Sequence, residues 1–285
     1  MTVILSRGDK GPDVEKLQKN LNKVGAMLEV DSDYGVATER GVKHGQSTAG
    51  FPITGKVNQQ LLDWVEAQQD PFPQLANEGV AFLAREETGG LAYYDLVAKA
   101  PHYPGESSGI TIGVGFDLRY QSRDTFETNW SAYLTSSVIN ELIYDIGRRG
   151  TKKRVAELKS MGIEIPFTIA WNVFLNHTLP NYYDLTQTIY PSLPDLPMLC
   201  SSALVSLVYN RGASLSGSRR REMKSIQSIL EKASDGSLNN SERKQILLDI
   251  ENEFVQMRRL WPLNTGLGKR RQEEANLWRR GLAEL

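Results

Sequence analysis

The chain has 285 residues, of which 40% are hydrophobic, and its formal net charge at pH 7 is −1. This length favours two domains, and this share of apolar residues is enough to bury a core. A net charge near zero gives no overall field that would attract nucleic acid, so we expect no nucleic-acid partner. No apolar run reaches the length of a membrane span, which argues against stable membrane insertion.

The sequence shows neither a secretion signal nor a metal-binding pattern. Residues 1–5 are too short an apolar run for a secretory signal and lack its basic start, so we expect the protein to begin in the cytoplasm. Cys200 is the only cysteine, which excludes an intrachain disulfide, and its apolar neighbours favour a buried structural thiol. The spacing of His44, His102 and His177 fits no zinc motif, which disfavours a zinc amidase or a Cys/His peptidase. We expect no metal and no cofactor.

Residues 1–67 have the pattern of a small helical unit. Pro12 suits the first position of a helix. Apolar residues then recur at helical spacing at Val14, Leu17 and Leu21. A second helix is expected after Gly35 and a third around Leu61. The unit is therefore predicted to be a three-helix bundle.

This unit resembles the small helical peptidoglycan-binding module of bacterial and phage wall hydrolases. The matching residues are Gly8, Gly11, Pro12, Asp13, Val14, Leu17, Gln18, Leu21, Asp31, Gly35, Thr38, Gln46, Gly50, Pro52, Thr54, Gly55, Lys56, Val57 and Leu61. The resemblance implies peptidoglycan as the partner. Gly41 and Gly45 depart from the pattern, and because glycine is a poor helix former we expect the second helix to fray.

A polar stretch with two prolines, residues 68–75, is predicted to be an extended linker. The predicted domains are thus 1–67 and 76–285, with separate cores. Deletion of residues 1–67 should then leave the remaining domain folded.

The stretch that begins at Asn77 is the one around which we expect the rest of the chain to be arranged. On a helical wheel Val80, Leu83, Ala84 and Glu87 share one side, whereas Glu86 lies on the flank. A carboxyl group at the end of a buried face is costly to ionise and favours the protonated form that a general acid needs. Two glycines, Gly89 and Gly90, should end the helix directly after it.

Residues 111–117 alternate β-branched residues with glycine. This pattern predicts a short strand whose backbone allows close approach. Thr111 supplies a hydroxyl group to it and Asp117 a second carboxylate.

These segments resemble the catalytic part of pesticin-like muramidases, which are relatives of the phage-type lysozymes. The matching residues are Glu87, Thr88, Gly89, Gly90, Tyr93, Tyr94, Pro104, Gly105, Ser108, Gly109, Thr111, Ile112, Gly113, Val114, Gly115, Phe116, Asp117 and Leu118. The resemblance implies that Glu87, Thr111 and Asp117 are catalytic: Glu87 protonates the leaving oxygen, while Asp117 and Thr111 orient water. An alternative alignment pairs Glu86 with Asp95, but it leaves too long a gap before Thr111 for the compact motif of the shorter lysozymes.

The remaining chain is predicted to be helical. We expect helices at 123–129, 136–147 and 152–161, and a helix that begins near Pro166. Residues 181–197 combine tyrosines with prolines and are predicted to be a loop, whose aromatic rings either contact sugar or pack across a groove. Basic runs near the carboxyl terminus fit either solvated helix faces or attraction to anionic envelope polymers.

Two later helices extend the resemblance to phage-type lysozymes. Residues 203–212 form an apolar segment that ends in Asn210 and Gly212, like the core helix of that family. The last helix repeats its carboxyl-terminal motif with Gly266, Leu267, Arg270, Arg271, Glu274, Leu277 and Trp278. The fold predicted overall is mainly α (α+β): a three-helix peptidoglycan-binding bundle, followed by a lysozyme-like helical domain with a small β-ribbon.

The resemblances imply a modular phage endolysin, a muramidase that cleaves the β-1,4 bond between N-acetylmuramic acid and N-acetylglucosamine and so lyses bacterial walls. Such a protein is made in the host cytoplasm, acts on the wall from the periplasm after release, and is expected to be a monomer. A bacterial effector or bacteriocin, a lytic transglycosylase and a non-catalytic wall-binding protein remain alternatives.

Overall fold

The predicted fold class, mainly helical with a small β-ribbon, is confirmed. The computed structural model describes residues 2–285, and Met1, the first residue of the predicted 1–67 unit, lies outside the described residues. The α-helices are α1 Pro12–Asn22, α2 Val36–Thr48, α3 Gln59–Glu66, α4 Asn77–Thr88, α5 Leu91–Tyr93, α6 Arg123–Trp130, α7 Ser136–Ile143, α8 Lys152–Ser160, α9 Phe167–Val173, α10 Leu179–Ile189, α11 Met198–Arg211, α12 Arg221–Ala233, α13 Asn240–Leu247, α14 Asp249–Gln256 and α15 Gly266–Leu282. The strands are β1 Thr111–Ile112 and β2 Phe116–Asp117.

Short non-α helical turns connect several of these helices. The π-helical turns are Tyr94–Ala98 and Phe174–Thr178, and the 3₁₀ turns are Leu118–Tyr120, Leu193–Asp195, Ser218–Arg220 and Met257–Arg259. Within residues 2–285 no helix is long and apolar enough to cross a membrane.

The chain divides into two compact units at other places than the predicted domain boundaries. The first unit contains the chain up to Pro71 together with Ala84–Leu179, and the second contains Phe72–Leu83 together with Pro180–Leu285. The amino-terminal bundle and the segment with Glu87 and the β-ribbon thus belong to one unit. Independent folding of residues 1–67 stays a prediction.

The bundle of α1–α3 has its own apolar core, formed by Leu5, Val14, Leu17, Leu21, Ala26, Leu28, Tyr34, Val42, Val57, Leu61 and Val65. Two buried glutamines order its loops. Gln18 donates to Asp31 Oδ1 and Thr38 Oγ1, and Gln46 donates to Thr54 Oγ1. Gln18 and Gln46, which both match the peptidoglycan-binding module, therefore stabilise the conformation of its loops.

The expectation that the second helix frays is wrong. Helix α2 runs unbroken to Thr48, and its two glycines permit close packing. A Cβ atom on Gly41 would lie 2.9 Å from Leu28 Cδ1, and one on Gly45 would lie 2.9 Å from Leu21 Cδ2. The close contact with the core offsets the low intrinsic helix propensity of glycine.

The bundle also packs directly against the rest of the first unit. A Cβ atom on Gly25 would lie 2.9 Å from Phe167 Cε1 and 3.1 Å from Trp171 Cδ2. The ring of His44 meets Phe167 edge-on, with the ring centroids 5.5 Å apart. Residues 1–67 therefore contact other parts of the first unit directly, in addition to their connection through the linker.

In the second unit, α11 and α15 form the centre of the packing. Arg270, Arg271 and Glu274 are buried there, and Glu274 Oε1 accepts hydrogen bonds from Arg271 Nη2 at 2.8 Å and from Ser206 Oγ at 2.6 Å. The residues of the carboxyl-terminal motif thus form a hydrogen-bonded ion-pair network. Such pairing offsets the desolvation free energy of burying charged side chains. Cys200 is a buried thiol whose pKa is raised by desolvation.

The prediction of a loop at 181–197 is wrong for its first half, because α10 continues to Ile189. Pro180 lies within a helical run that continues from α9 through the π-helical turn Phe174–Thr178 into α10, so it does not interrupt the helix. The tyrosines of this segment have partners in the same unit: Tyr182 stacks on Tyr209 at 4.1 Å, and the buried Tyr190 donates its hydroxyl hydrogen to Met223 O. Of the two interpretations of these rings, packing is the one observed.

Candidate functional site

Glu87 lies in the last turn of α4, as predicted. Its side chain is partly buried, whereas that of Glu86 is exposed. The buried hydroxyl of Thr88 donates to Ala84 O at 2.7 Å and lies 3.3 Å from the sulfur of Met27, which anchors this turn within the first unit. Gly89 follows with a φ of 71°, a left-handed conformation that ends the helix there.

The single strand predicted for residues 111–117 is instead a hairpin. Strands β1 and β2 are antiparallel, and Thr111 is the direct cross-strand partner of Asp117. Gly113 and Gly115 in the connecting turn have φ values of 57° and 68°, which non-glycine residues rarely adopt. Residues directly opposite each other in an antiparallel pair project from the same face, so the pairing brings the hydroxyl and the carboxylate together.

The turn of this hairpin lies against the helix end that carries Glu87. A Cβ atom on Gly115 would lie 3.0 Å from both Cβ and Oε2 of Glu87. On the other side of the turn, a Cβ atom on Gly113 would lie 2.7 Å from Trp130 Cη2. The two glycines therefore let the hairpin sit between a buried tryptophan and the glutamate. The structure thus places Thr111 and Asp117 on this hairpin and Glu87 against its turn.

Asp117 is held by backbone donors. Its Oδ1 accepts hydrogen bonds from Gly109 N and Arg119 N, each at 2.9 Å, and Gly109 N also lies 3.1 Å from Oδ2. A side chain at residue 109 would collide with this carboxylate, because a Cβ atom there would lie 2.5 Å from Oδ1. The carboxylate thus has a fixed orientation, set by residues on both sides of the hairpin.

Thr111 is buried, with 5% of its surface exposed. Among the described residues its Oγ1 has no hydrogen-bond partner. Buried hydroxyl groups are nearly always hydrogen-bonded in proteins. A ligand or water oxygen is the natural partner for this one.

His102 is a neighbour of the site that the sequence did not indicate. Its backbone pairs with that of Thr111 through two hydrogen bonds, His102 N to Thr111 O at 3.0 Å and Thr111 N to His102 O at 2.8 Å. Burial lowers the pKa of His102, and nearby Lys159 lowers it further, while the backbone of Ala100 and the charge of Asp117 oppose the shift. The imidazole is therefore neutral at pH 7. Only the fold reveals this pairing, because the sequence around residue 102 has no strand pattern.

The two residues of the alternative alignment, Glu86 and Asp95, are both exposed. Asp95 is exposed on the π-helical turn Tyr94–Ala98. The adjacent Tyr94 is buried and donates to Ile165 O, whereas Tyr93 is 49% exposed.

No group of three or more His, Cys, Asp or Glu side chains within residues 2–285 is placed to hold a metal ion.

The amino-terminal bundle carries two clefts of about 260 Å³ each. Ile4, Leu17, Gln59 and Leu62 are among the residues that line one of them. Phe51, Thr54 and Gln60 are among those that line the other. Both combine apolar surface with amide or hydroxyl groups, a combination that suits sugar and peptide ligands.

Comparison with known protein families supports a role for this bundle. Residues 10–65 match the model of a family described as a putative peptidoglycan binding domain. The match spans α1–α3 and supports a peptidoglycan-binding module with peptidoglycan as its partner. Comparison of the chain with curated proteins and with solved structures gives no significant match.

Proposed function

We propose that this protein is a peptidoglycan hydrolase, a muramidase that cleaves the β-1,4 bond between N-acetylmuramic acid and N-acetylglucosamine. The observation that carries the proposal is the hairpin geometry. Thr111 and Asp117 are cross-strand partners, and the turn between them lies against Glu87. Two carboxylates in different environments are what glycoside hydrolysis requires.

In this mechanism Glu87 is the general acid. Its carboxyl group transfers a proton to the glycosidic oxygen as the bond from the anomeric carbon to that oxygen breaks. A water molecule then adds to the anomeric carbon and loses a proton. Asp117 accepts that proton as it activates the water, and Thr111 Oγ1 positions the water. The fixed carboxylate of Asp117 and the buried hydroxyl of Thr111 support these two roles.

The peptidoglycan-binding module has a physical role in this activity. Binding to an insoluble polymer raises the concentration of the catalytic segment near its substrate. The proposal therefore extends to a modular endolysin that is made in a host cytoplasm and acts on the wall after release. No cofactor enters the mechanism.

The decisive experiment compares Glu87→Gln with Glu86→Gln and Asp95→Asn in the full-length protein. Gln keeps the shape of the side chain but cannot donate the carboxyl proton, so Glu87→Gln should abolish release of soluble fragments from purified peptidoglycan. The other two variants should retain most activity, since both side chains are exposed. Circular dichroism and thermal unfolding confirm that each variant is folded. A folded Glu87→Gln protein that clears peptidoglycan at the wild-type rate would overturn the assignment.

Mass spectrometry of the products distinguishes hydrolysis from lytic transglycosylation. Hydrolysis leaves a reducing N-acetylmuramic acid end, whereas transglycosylation closes a 1,6-anhydro ring without water. The pairing of Thr111 with Asp117 favours the reducing end, because a transglycosylase has no water to orient.

A further inference from the structure

A cleft of about 480 Å³ lies in the second unit, at the carboxyl-terminal end of α11. Arg211, Arg219, Arg220 and Trp261 are among its lining residues. This volume is in the range of small-molecule sites, roughly 300–1,000 Å³. The unusual feature is that three arginines line one cleft.

The hydrogen bonds of these arginines go to neutral atoms. Arg211 donates to Arg219 O and to the sulfur of Met257, while Arg220 donates to Arg211 O and to the sulfur of Met223. Carbonyl and thioether groups accept hydrogen bonds but carry no negative charge. Within residues 2–285, none of the three arginines forms a salt bridge with a carboxylate.

The carboxylate that interacts with Arg211 is already engaged. Glu222 is 1% exposed, and it forms salt bridges with Arg221, at 2.9 Å, and with Arg259. Burial lowers the pKa of Arg211 to about 10, and repulsion from Arg220 and other arginines acts in the same direction. Arg211 still carries its charge at pH 7. The cleft therefore concentrates positive charge that the protein itself does not neutralise.

Trp261 gives the cleft an aromatic wall. The guanidinium carbon of Arg211 lies 4.9 Å from the centroid of the Trp261 ring, and that of Arg219 lies 5.7 Å from it. Stacking on an aromatic ring holds a guanidinium group in place while it leaves the in-plane N–H donors available. This arrangement preorganises donors for a planar or tetrahedral oxyanion.

We propose that this cleft, lined by Arg211, Arg219, Arg220 and Trp261, binds a small anionic ligand through a carboxylate or phosphate group. Both groups match the geometry of guanidinium donors. None of its lining residues belongs to the glutamate and hairpin proposed for hydrolysis, and the proposal does not depend on that activity.

The test is a titration of the full-length protein at low ionic strength with three probes. N-acetylmuramic acid carries a carboxylate, inorganic phosphate carries the alternative oxyanion, and N-acetylglucosamine is the neutral control. Binding is followed by NMR through the indole N–H of Trp261 and the guanidinium Nε–H signals. We expect at least one anion to shift these signals in a saturable manner and the neutral sugar to leave them unchanged. The anion that binds identifies the chemistry of the natural ligand.

Charge variants then locate the site. Arg219→Gln removes an exposed side chain and should weaken anion binding about tenfold, as expected for loss of a hydrogen bond to a charged group. Arg220→Gln provides a second variant in the cleft. Lys224→Gln is the matched control, since it removes one positive charge from an exposed position on α12 outside the lining. If neither anion binds, or if Lys224→Gln weakens binding as much as Arg219→Gln, the proposal is wrong.

Discussion

Gly115 lies so close to Glu87 that a Cβ atom on the glycine would be 3.0 Å from the carboxylate oxygen Oε2. Gly115→Ala must therefore displace the proposed acid or the turn. We expect activity on purified peptidoglycan to fall by about 10- to 100-fold, because misplacement of a catalytic group by about 1 Å has effects of this size. Initial rates at fixed enzyme concentration measure the change.

Gly147→Ala is the control for backbone strain. Gly147 has a φ of 71°, close to the 68° of Gly115, but a Cβ atom there would meet nothing within 4 Å. Both variants should lose stability from the strained backbone, with a further loss in Gly115→Ala from the close contact, and only Gly115→Ala should lose much activity. Equal activities of the two variants would show that the contact with Glu87 is irrelevant to catalysis.

The hydroxyl group of Thr111 is expected to serve activity rather than stability. Thr111→Val replaces a buried hydroxyl that has no partner in the described chain by a methyl group, so the melting temperature should stay the same or rise. Activity should fall by about tenfold or more, since the water loses a positioning group. Thr111→Ser, which keeps the hydroxyl, should retain more activity than Thr111→Val. A Thr111→Val protein with wild-type rates would exclude a role in water positioning.

The contact between the amino-terminal bundle and Phe167 should contribute to stability. Gly25→Ala places a methyl group 2.9 Å from the Phe167 ring, whereas Gly8→Ala has a similarly positive φ and open space. Gly25→Ala should therefore lower the free energy of unfolding by roughly 1–3 kcal/mol more than Gly8→Ala, the usual cost of overpacking. Urea denaturation measures this difference.

For the same reason we now expect deletion of residues 1–67 to lower the melting temperature of the remaining chain, in contrast to the expectation from sequence. Unchanged stability in both experiments would restore the model of independent domains.

Acid should weaken the packing of His44. Burial lowers the pKa of His44 from its ordinary value of 6.5, although the hydrogen bond to Val24 O and the charge of Asp95 oppose the shift. The unfolded chain therefore binds a proton more readily than the folded chain. The contribution of neutral His44 to the free energy of unfolding is therefore fully present above about pH 6.5. It is lost as the pH falls toward the lower pKa that His44 has in the folded protein.

Thermal unfolding of the wild type and His44→Gln between pH 5 and pH 8 tests this. Gln can still donate to Val24 O but does not titrate, and other titrating groups affect both proteins alike. Below about pH 6.5 the melting temperature of the wild type should fall more steeply with pH than that of His44→Gln. Parallel curves would contradict the prediction.

Several helix boundaries were predicted well from local sequence, although α7 ends at Ile143 and not at the predicted residue 147. Pro12 begins α1 and Gly89 follows the end of α4, as predicted, because a fixed φ or a left-handed cap acts within one turn. Helix α6 begins after Ser122, whose side chain accepts from Thr125 N. The family match to residues 10–65 shows that the pattern of the bundle was equally specific.

Contacts between distant residues decided what the sequence left open. Residues 111–117 form a hairpin because Gly113 and Gly115 reverse the chain where Trp130 and Glu87 leave no room for side chains. Residues 181–189 are helical because their tyrosines find partners such as Tyr209, far along the chain.

The same distinction applies to the site. The sequence suggested Glu87, Thr111 and Asp117 as candidate site residues through the order of their motifs, since residue type and spacing are visible in one dimension. Only the tertiary structure placed Asp117 opposite Thr111, paired His102 with Thr111, and grouped the amino-terminal bundle with this hairpin. Pairing register and side-chain packing depend on which surfaces meet, and surfaces far apart in sequence meet only when the chain has folded.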